Sequence, residues 1–334
     1  MPFLNFNENG IYCAQADVYI DPWKPVNKAI ITHAHADHAR PGHQHYLAHK
    51  DSLPVMRHRL GQDIRTQGLD YGEVINIKGV KLSLHPAGHI PGAAQVRLEY
   101  RGEIWVVSGD YKLQPDPFTR DFEAVSCHHF ITESTFGLPV YRWPAADEVF
   151  EEIRQWHLAN REKGRVSVLG AYSLGKAQRV MAGLAEFAPI YTHGAIENTN
   201  EVLRKQGLAL PETRYIDADV GKKELSGALV ICPPSAIGSA WMRKLGPTST
   251  GFCSGWMTLR GTRRRRAADR GFVLSDHADW DGLNRAVRAT GAENIYVTHG
   301  YKDLFSRWLR EEYGLNARAV DTLYEGESVD ADSI

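Results

Sequence analysis

The sequence predicts an α/β protein in which a strand-rich frame is interrupted by an inserted α/β segment. Three observations predict it. The first third alternates apolar and polar residues between tight turns, the middle turns helical with short apolar strands in between, and the end returns to strand followed by helix. Taken in order, residues 28–32 (Lys-Ala-Ile-Ile-Thr) form a β-like run. Residues 75–77 and 80–84 alternate about Lys78-Gly79 as hairpin strands do, and residues 95–100 and 103–107 repeat the pattern about Arg101-Gly102. Pro144 opens a helix with Val149, Ile153 and Trp156 at helical spacing, and Ala177, Val180, Met181 and Leu184 mark a second. Residues 165–169 and 228–232 are short apolar strands set between helical stretches, the pattern of a parallel sheet. Residues 272–275 are a strand, a helix lies near 283–287, 295–298 is a strand, and Leu304, Phe305, Trp308 and Leu309 define a last helix. The chain changes character near residue 141 and changes back near 268. This divides it into segments 1–140, 141–267 and 268–334, the middle one an insertion of domain size.

Composition bounds the function. With 43% hydrophobic and 24% charged residues, 334 residues are ordinary globular material, which excludes a disordered or fibrous chain. Lys and Arg total 39 against 40 Asp and Glu, so a uniformly basic surface for coating a duplex is excluded, while a local basic patch is not. The four cysteines, Cys13, Cys127, Cys232 and Cys253, are far apart and form no CxxC, as expected of free thiols in a reducing cytosol. Residues 1–15 lack a basic stretch followed by an apolar core, and no run of about 18 apolar residues occurs. The expectation is a soluble cytoplasmic protein with no membrane contact.

Histidine is the informative residue. Of 15 in the chain, four fall between Thr32 and Gln44, and His33-Ala-His35-Ala-Asp37-His38 follows the first β-like run. Three imidazoles and a carboxylate within six residues are the donor set of zinc and its neighbours. Five further residues share one placement. His89, Asp110, Glu133, His277 and His299 each lie just past the carboxyl end of an apolar run, where α/β sheets gather their sites. A single residue so placed is more often a helix cap or a satisfied polar group.

His33-x-His35-x-Asp37-His38, then His89, then Asp110 resembles the metallo-β-lactamase fold, a four-layer αβ/βα sandwich. Glu133, His277 and His299 resemble, in order, the three extra motifs of its β-CASP nuclease branch, whose inserted α/β cap domain would be residues 141–267. The resemblance implies two divalent metal ions per chain, zinc by ligand type, with manganese able to support activity. His33, His35 and His89 would hold the first ion, Asp37, His38 and His299 the second, and Asp110 would bridge them. It also places Asp37, Glu133 and His277 in the catalytic set. His277 would contact the scissile phosphate or protonate the leaving oxygen, and Glu133 would orient its ring. The branch's early acidic motif falls on Asp21, where it would orient a ligand histidine, with Asp17 as the alternative.

Within the branch the chain looks most like the bacterial ligase-associated DNA exonucleases, which implies DNA repair beside an ATP-dependent DNA ligase and a helicase. The compact length, residues 19–23 (Tyr-Ile-Asp-Pro-Trp) and the stretch from Trp256 to Arg266 carry that likeness. His299 points the other way, because the branch's RNA-processing members have a histidine there and its eukaryotic DNA cross-link repair members usually do not. The substrate is therefore DNA or RNA. Arg260, Arg263, Arg264, Arg265 and Arg266 crowd just before His277 and are expected to contact phosphates, and Ser173 and Lys176 resemble a β-CASP loop beside the substrate. Two other readings compete. A small-ester hydrolase on the same metal core has no use for Glu133, His277 or the arginines, and a non-catalytic binding subunit predicts broken ligand positions, whereas all are filled.

Overall fold

A two-residue hairpin turn of type I′ needs positive φ at both positions, and the sequence supplies such pairs. Lys78 and Gly79 sit at φ 51° and 87°, and Arg101 and Gly102 at 53° and 85°, so each turn carries the twist its strands need. The computed structural model of the chain describes residues 3–259, 261 and 268–323. It separates into two units, one running to Tyr141 and resuming at His277, the other from Arg142 to Asp276.

In the first unit β1 (Leu4–Asn7), β2 (Gly10–Cys13) and β3 (Val18–Ile20) form an antiparallel meander. It is extended in parallel by β4 (Lys28–Ile30), β5 (His45–His49) and β6 (Thr66–Leu69), with α1 (Leu53–Leu60) between the last two. A second sheet is built from β7 (Val74–Ile77), β8 (Val80–Pro86), β9 (Ala94–Tyr100), β10 (Glu103–Val107) and β11 (His129–Thr132). Ile11, Ile20, Ile30 and Leu47 of the first sheet share one buried core with Leu82, Leu84, Val96 and Leu98 of the second. The sheets therefore meet face to face, each such side chain contributing about 1.5–3 kcal/mol.

The second unit is a parallel sheet with helices, starting with α2 (Ala146–Glu162), β12 (Val166–Gly170) and α3 (Lys176–Leu184). It continues through β13 (Ile190–Thr192), α4 (Gly194–Lys205), β14 (Arg214–Tyr215), β15 (Leu229–Cys232), β16 (Thr248–Cys253) and β17 (Arg270–Phe272). Strands run in the order β14-β13-β15-β12-β16-β17, all parallel. Every residue of β12 and β15 is buried, as in a sheet covered on both faces. The strand expected over 272–275 ends earlier, at Phe272. The Leu274 amide donates back to the Phe272 carbonyl at 3.0 Å, which turns the chain off the sheet, and the Ser275 carbonyl accepts from Arg179 Nη1 at 2.6 Å.

The chain then returns to the first unit through α5 (Trp280–Thr290), β18 (Asn294–Val297), α6 (Lys302–Tyr313) and β19 (Asn316–Ala319). Asp279 caps α5 by accepting from the Gly282 amide at 2.8 Å, an interaction worth about 1 kcal/mol. The second sheet is completed as β19-β18-β11-β10-β9-β8-β7. Strands β10, β11 and β18 are parallel, and β8, two antiparallel steps from β10, points the same way. Strand β19 is parallel to β18 as well, and of the five carboxyl ends on that side the four of β8, β10, β11 and β18 position the site. Among the described residues no helix is long and apolar enough to cross a membrane.

Candidate metal centre

Each candidate side chain leaves a strand end. His33, His35, Asp37 and His38 lie on the loop after β4, His89 follows β8, Asp110 follows β10, Glu133 follows β11 directly, and His299 follows β18. Thr32 ties the two sheets together, since its carbonyl accepts from the Ala94 amide at 2.8 Å. Gly109, at φ 57°, makes room for it: a Cβ there would lie 2.6 Å from Thr32 Oγ1.

Hydrogen bonding fixes which nitrogen each ring presents. Asp21 is buried and accepts three times, from the Thr32 amide (2.7 Å), from Thr32 Oγ1 (2.6 Å) and from His38 Nδ1–H (2.7 Å). Thr32 has one hydroxyl proton and spends it on Asp21, so its oxygen accepts from His33 Nδ1–H at 3.0 Å. Thr298 repeats the device. It donates to the Thr132 carbonyl at 3.1 Å and accepts from His299 Nδ1–H at 2.9 Å. In all three histidines the Nε2 lone pair is left facing inward, which is what a ligand to a cation requires.

Those nitrogens converge on one carboxylate. Asp110 Oδ2 lies 3.5 Å from His33 Nε2, 3.5 Å from His38 Nε2 and 3.9 Å from His89 Nε2, and Asp110 Oδ1 lies 3.9 Å from His299 Nε2. His35 Nδ1 and His89 Nε2 are 3.1 Å apart. Two nitrogens on one tetrahedral zinc, at Zn–N of about 2.0–2.1 Å, stand roughly 3.3 Å apart. His33 Nε2 and Asp110 Oδ1 are buried and, among the described residues, make no hydrogen bond. Two close groupings, His33/His35/His89/Asp110 and His38/Asp110/His299, share Asp110, and Asp37 forms another with His33 and His38. The donor set and its geometry fit metal ions.

The electrostatics agree. Burial first, then the neighbouring imidazoles, hold His33 well below the usual histidine range and hence neutral. Burial also pulls down on His38, but Asp110, Asp37 and Asp21 outweigh it and hold it well above that range. A pocket that favours a proton on His38 this strongly favours a metal cation in the proton's place. Asp110, despite complete burial, is held ionised by His38, His277 and His299.

Glu133 and His277 form a pair beside this cluster. His277 Nδ1–H donates to Glu133 at 2.9 Å (Oε2) and 3.1 Å (Oε1), and the Tyr111 amide donates to Oε1 at 2.8 Å. The His277 ring lies 4.7 Å from that of His89, and His277, Glu133 and Asp110 make a further close grouping. Among the remaining candidates, Asp17 is half exposed and faces Lys78 and Tyr12. Ser173 is half-buried. Lys176, expected beside the substrate, is fully buried with its ammonium 3.8 Å from Asp276 and 4.8 Å from the Tyr172 ring, so its charge is committed within its own unit. Arg260 and Arg263–Arg266 lie outside the described residues. Sequence reasoning missed Thr32 and Thr298, although both precede a candidate histidine as Thr-His.

No protein-family model matches the chain. It is similar to a protein of Opitutus terrae named "Probable DNA ligase", with 32% identity over 96% of this chain and 31% of that one. It is also similar to the transcription termination factor FttA of Methanothermobacter thermautotrophicus, 26% identical over 53% of this chain and 35% of FttA. The endoribonuclease YSH1 of Eremothecium gossypii is 30% identical over 37% of this chain and 16% of YSH1. The chain thus spans about a third or less of these relatives. A crystal structure of a protein of unknown function from Enterococcus faecalis shares the fold, with a TM-score of 0.58 at 12% identity, covering 88% of this chain and 79% of that one.

Facing sheets with buried histidines and carboxylates gathered at one edge define an α/β metal-site protein. Within that class the chain is homologous to β-CASP nucleases of the metallo-β-lactamase fold, FttA and YSH1 among them.

Proposed function

We propose that this chain hydrolyses phosphodiester bonds with two divalent metal ions and acts as a DNA exonuclease in repair, beside an ATP-dependent DNA ligase. In this reading the first unit, to Tyr141 and again from His277, forms the four-layer αβ/βα sandwich and the second, Arg142 to Asp276, the β-CASP cap, whose end falls past the expected residue 267 because β17 pairs with β16. The observation that carries it is the sharing of Asp110 between two histidine groupings, next to a His277–Glu133 pair. His33, His35 and His89 would hold one ion, Asp37, His38 and His299 the other, and Asp110 both. Bound zinc or manganese would acidify a water and neutralise phosphate charge. The chain's own residues do the rest. Asp21, Thr32 and Thr298 lock ring tautomers, and Glu133 holds His277 by Nδ1, which leaves Nε2 to touch a phosphate oxygen or protonate the leaving oxygen.

DNA is preferred because the relative whose similarity extends over 96% of the chain is named a DNA ligase, whereas similarity to the RNA-acting YSH1 covers 37%. Four buried, unbridged cysteines support a reducing cytoplasm. RNA processing is the second reading, favoured by His299. The test is the metal-loaded protein on end-labelled DNA and RNA. Stepwise shortening of DNA that chelation abolishes and zinc or manganese restores is expected. RNA cleavage with DNA intact would move the chain to RNA processing, and no cleavage with any metal would overturn the proposal.

A further inference from the structure

The centre is not sealed evenly. The side chains of His33, His38, His89, Asp110 and His299 are at most 5% exposed, whereas Asp37 is 18% exposed, His35 is half-buried and Ala36 between them is exposed. A phosphate reaching the cluster from solvent therefore meets the 35–37 edge first. Two arginines stand on that edge, and Arg40 spends its guanidinium on the carbonyls of Asp37 (3.0 Å), Trp23 (3.4 Å) and Leu323 (2.6 Å). Arg59, in the last turn of α1, donates from Nη1 to the Ala34 carbonyl at 2.6 Å, on the peptide between His33 and His35. The residue as a whole is exposed, while the protein around its guanidinium disfavours the charge and Asp37 is the negative group that opposes this.

The other arginine of that turn is used differently, since Arg57 donates to Thr66 Oγ1 at 2.6 Å. A cation at a helix carboxyl end is also favoured by the helix dipole, which would account for a charge here but not for its direction. Arg59 is bound through one nitrogen to an uncharged carbonyl, and among the described residues no carboxylate pairs with it within 4.0 Å. The rest of its planar fork is available. A guanidinium with one arm tied to backbone, on an exposed residue, keeps donors for contact with a phosphate.

We propose that Arg59 is a phosphate-binding residue: it grips the phosphodiester next to the scissile one and draws the strand across the His35–Asp37 edge. This rests on the nuclease reading above, and it makes Arg59 a positioning residue acting through the substrate. The Ala34 tether fixes the arm to the metal loop, so the gripped phosphate and the ligands move as one body.

The test is binding of a fluorescent single-stranded oligonucleotide to the zinc-loaded protein across a salt series. Wild type is compared with Arg59→Gln, which keeps a donor for Ala34, and Arg59→Lys, which keeps the charge, with zinc content measured in each. For Arg59→Gln the affinity should fall roughly 10–100-fold and the log–log salt slope by about 0.7, with zinc retained. Arg59→Lys should keep the slope and recover part of the affinity. In cleavage, Arg59→Gln should lose more on the oligonucleotide than on a bis-aryl phosphate diester, which has no neighbouring phosphate. An unchanged salt slope, equal losses on both substrates, or zinc loss without slope loss would overturn the assignment. A wild-type protein that neither binds nor cuts nucleic acid would instead remove the nuclease reading, and the Arg59 proposal with it.

Discussion

Replacing Asp21 with asparagine tests the centre at its most constrained point. Oδ1 takes the Thr32 amide at 2.7 Å, and Oδ2 takes two protons, from Thr32 Oγ1 at 2.6 Å and His38 Nδ1 at 2.7 Å. An asparagine oxygen can still serve the Thr32 amide, but its NH2 then faces two groups that are themselves donors. The hydroxyl can rotate away. His38 can relieve the clash only by moving its proton from Nδ1 to Nε2, and Nε2 is the nitrogen aimed at Asp110. A protonated nitrogen has no lone pair for a metal. Loss of such an orienting partner costs about 10–100-fold in metal affinity, or about 1.4–2.7 kcal/mol. A charge-assisted hydrogen bond is worth about 1.5–3 kcal/mol, so the upper half of that range is expected. Thr32 also orients His33, so both groupings should weaken, the one containing His38 more. Zinc titration against a chromophoric chelator measures this directly. Two zinc ions held with wild-type affinity in Asp21→Asn would refute the tautomer argument.

Further expectations concern separate parts of the molecule. His277→Ala should retain zinc while single-turnover cleavage falls about 10²–10⁴-fold, and His299→Ala should lose zinc; metal analysis of both, with the opposite pattern refuting the roles, decides this. His157, buried on α2 beside Ser167, is held down to about 4 by burial. Because the unfolded chain takes up that proton near pH 6.5, the stability from the neutral ring is complete above that pH and lost as pH falls toward 4, about 2 kcal/mol of it by pH 5. Urea unfolding at pH 7 and pH 5 should show a smaller difference in His157→Gln, and an unchanged difference would exclude His157 as the source. Neutralising Arg263 to Arg266 together should lower the salt slope of single-strand binding by about 0.7 for each phosphate no longer neutralised, and an unaltered slope would make the run a solvated face.

The hairpins and the residues that gather at the candidate metal centre were legible for the same reason: each is marked by a local signal. Two-residue turns such as Lys78-Gly79 state their geometry, and a histidine or carboxylate after an apolar run needs no knowledge of distant partners. The pieces that stayed hidden depend on the tertiary structure. Helix α1, Leu-Pro-Val-Met-Arg-His-Arg-Leu, has no clean apolar stripe, and β14 is two exposed residues held by β13. Thr32 and Thr298 illustrate the limit. Thr-His-Gly occurs at 298–300 and again at 192–194, yet His193 merely accepts from the Ala195 amide to start α4 and packs on Trp241. Identical tripeptides do different work because only one lies on the edge where the four strand ends meet.

The entry and exit of the second unit carry a consequence for how such a chain came about. Within the first unit the Trp280 amide donates to the Tyr141 carbonyl at 2.9 Å, so the residues that bracket the 135-residue excursion from Arg142 to Asp276 are neighbours in space. A gap that narrow is spanned by a turn of a few residues, and closing it costs little entropy whatever hangs from it. An ancestral gene could therefore have received a whole domain at this seam in a single recombination without disturbing either sheet. Since His277 is the first residue after the seam, the same event would have placed new backbone directly upstream of the side chain proposed to act on the phosphate, and lineages could exchange what lies between Tyr141 and His277 while keeping the residues on either side.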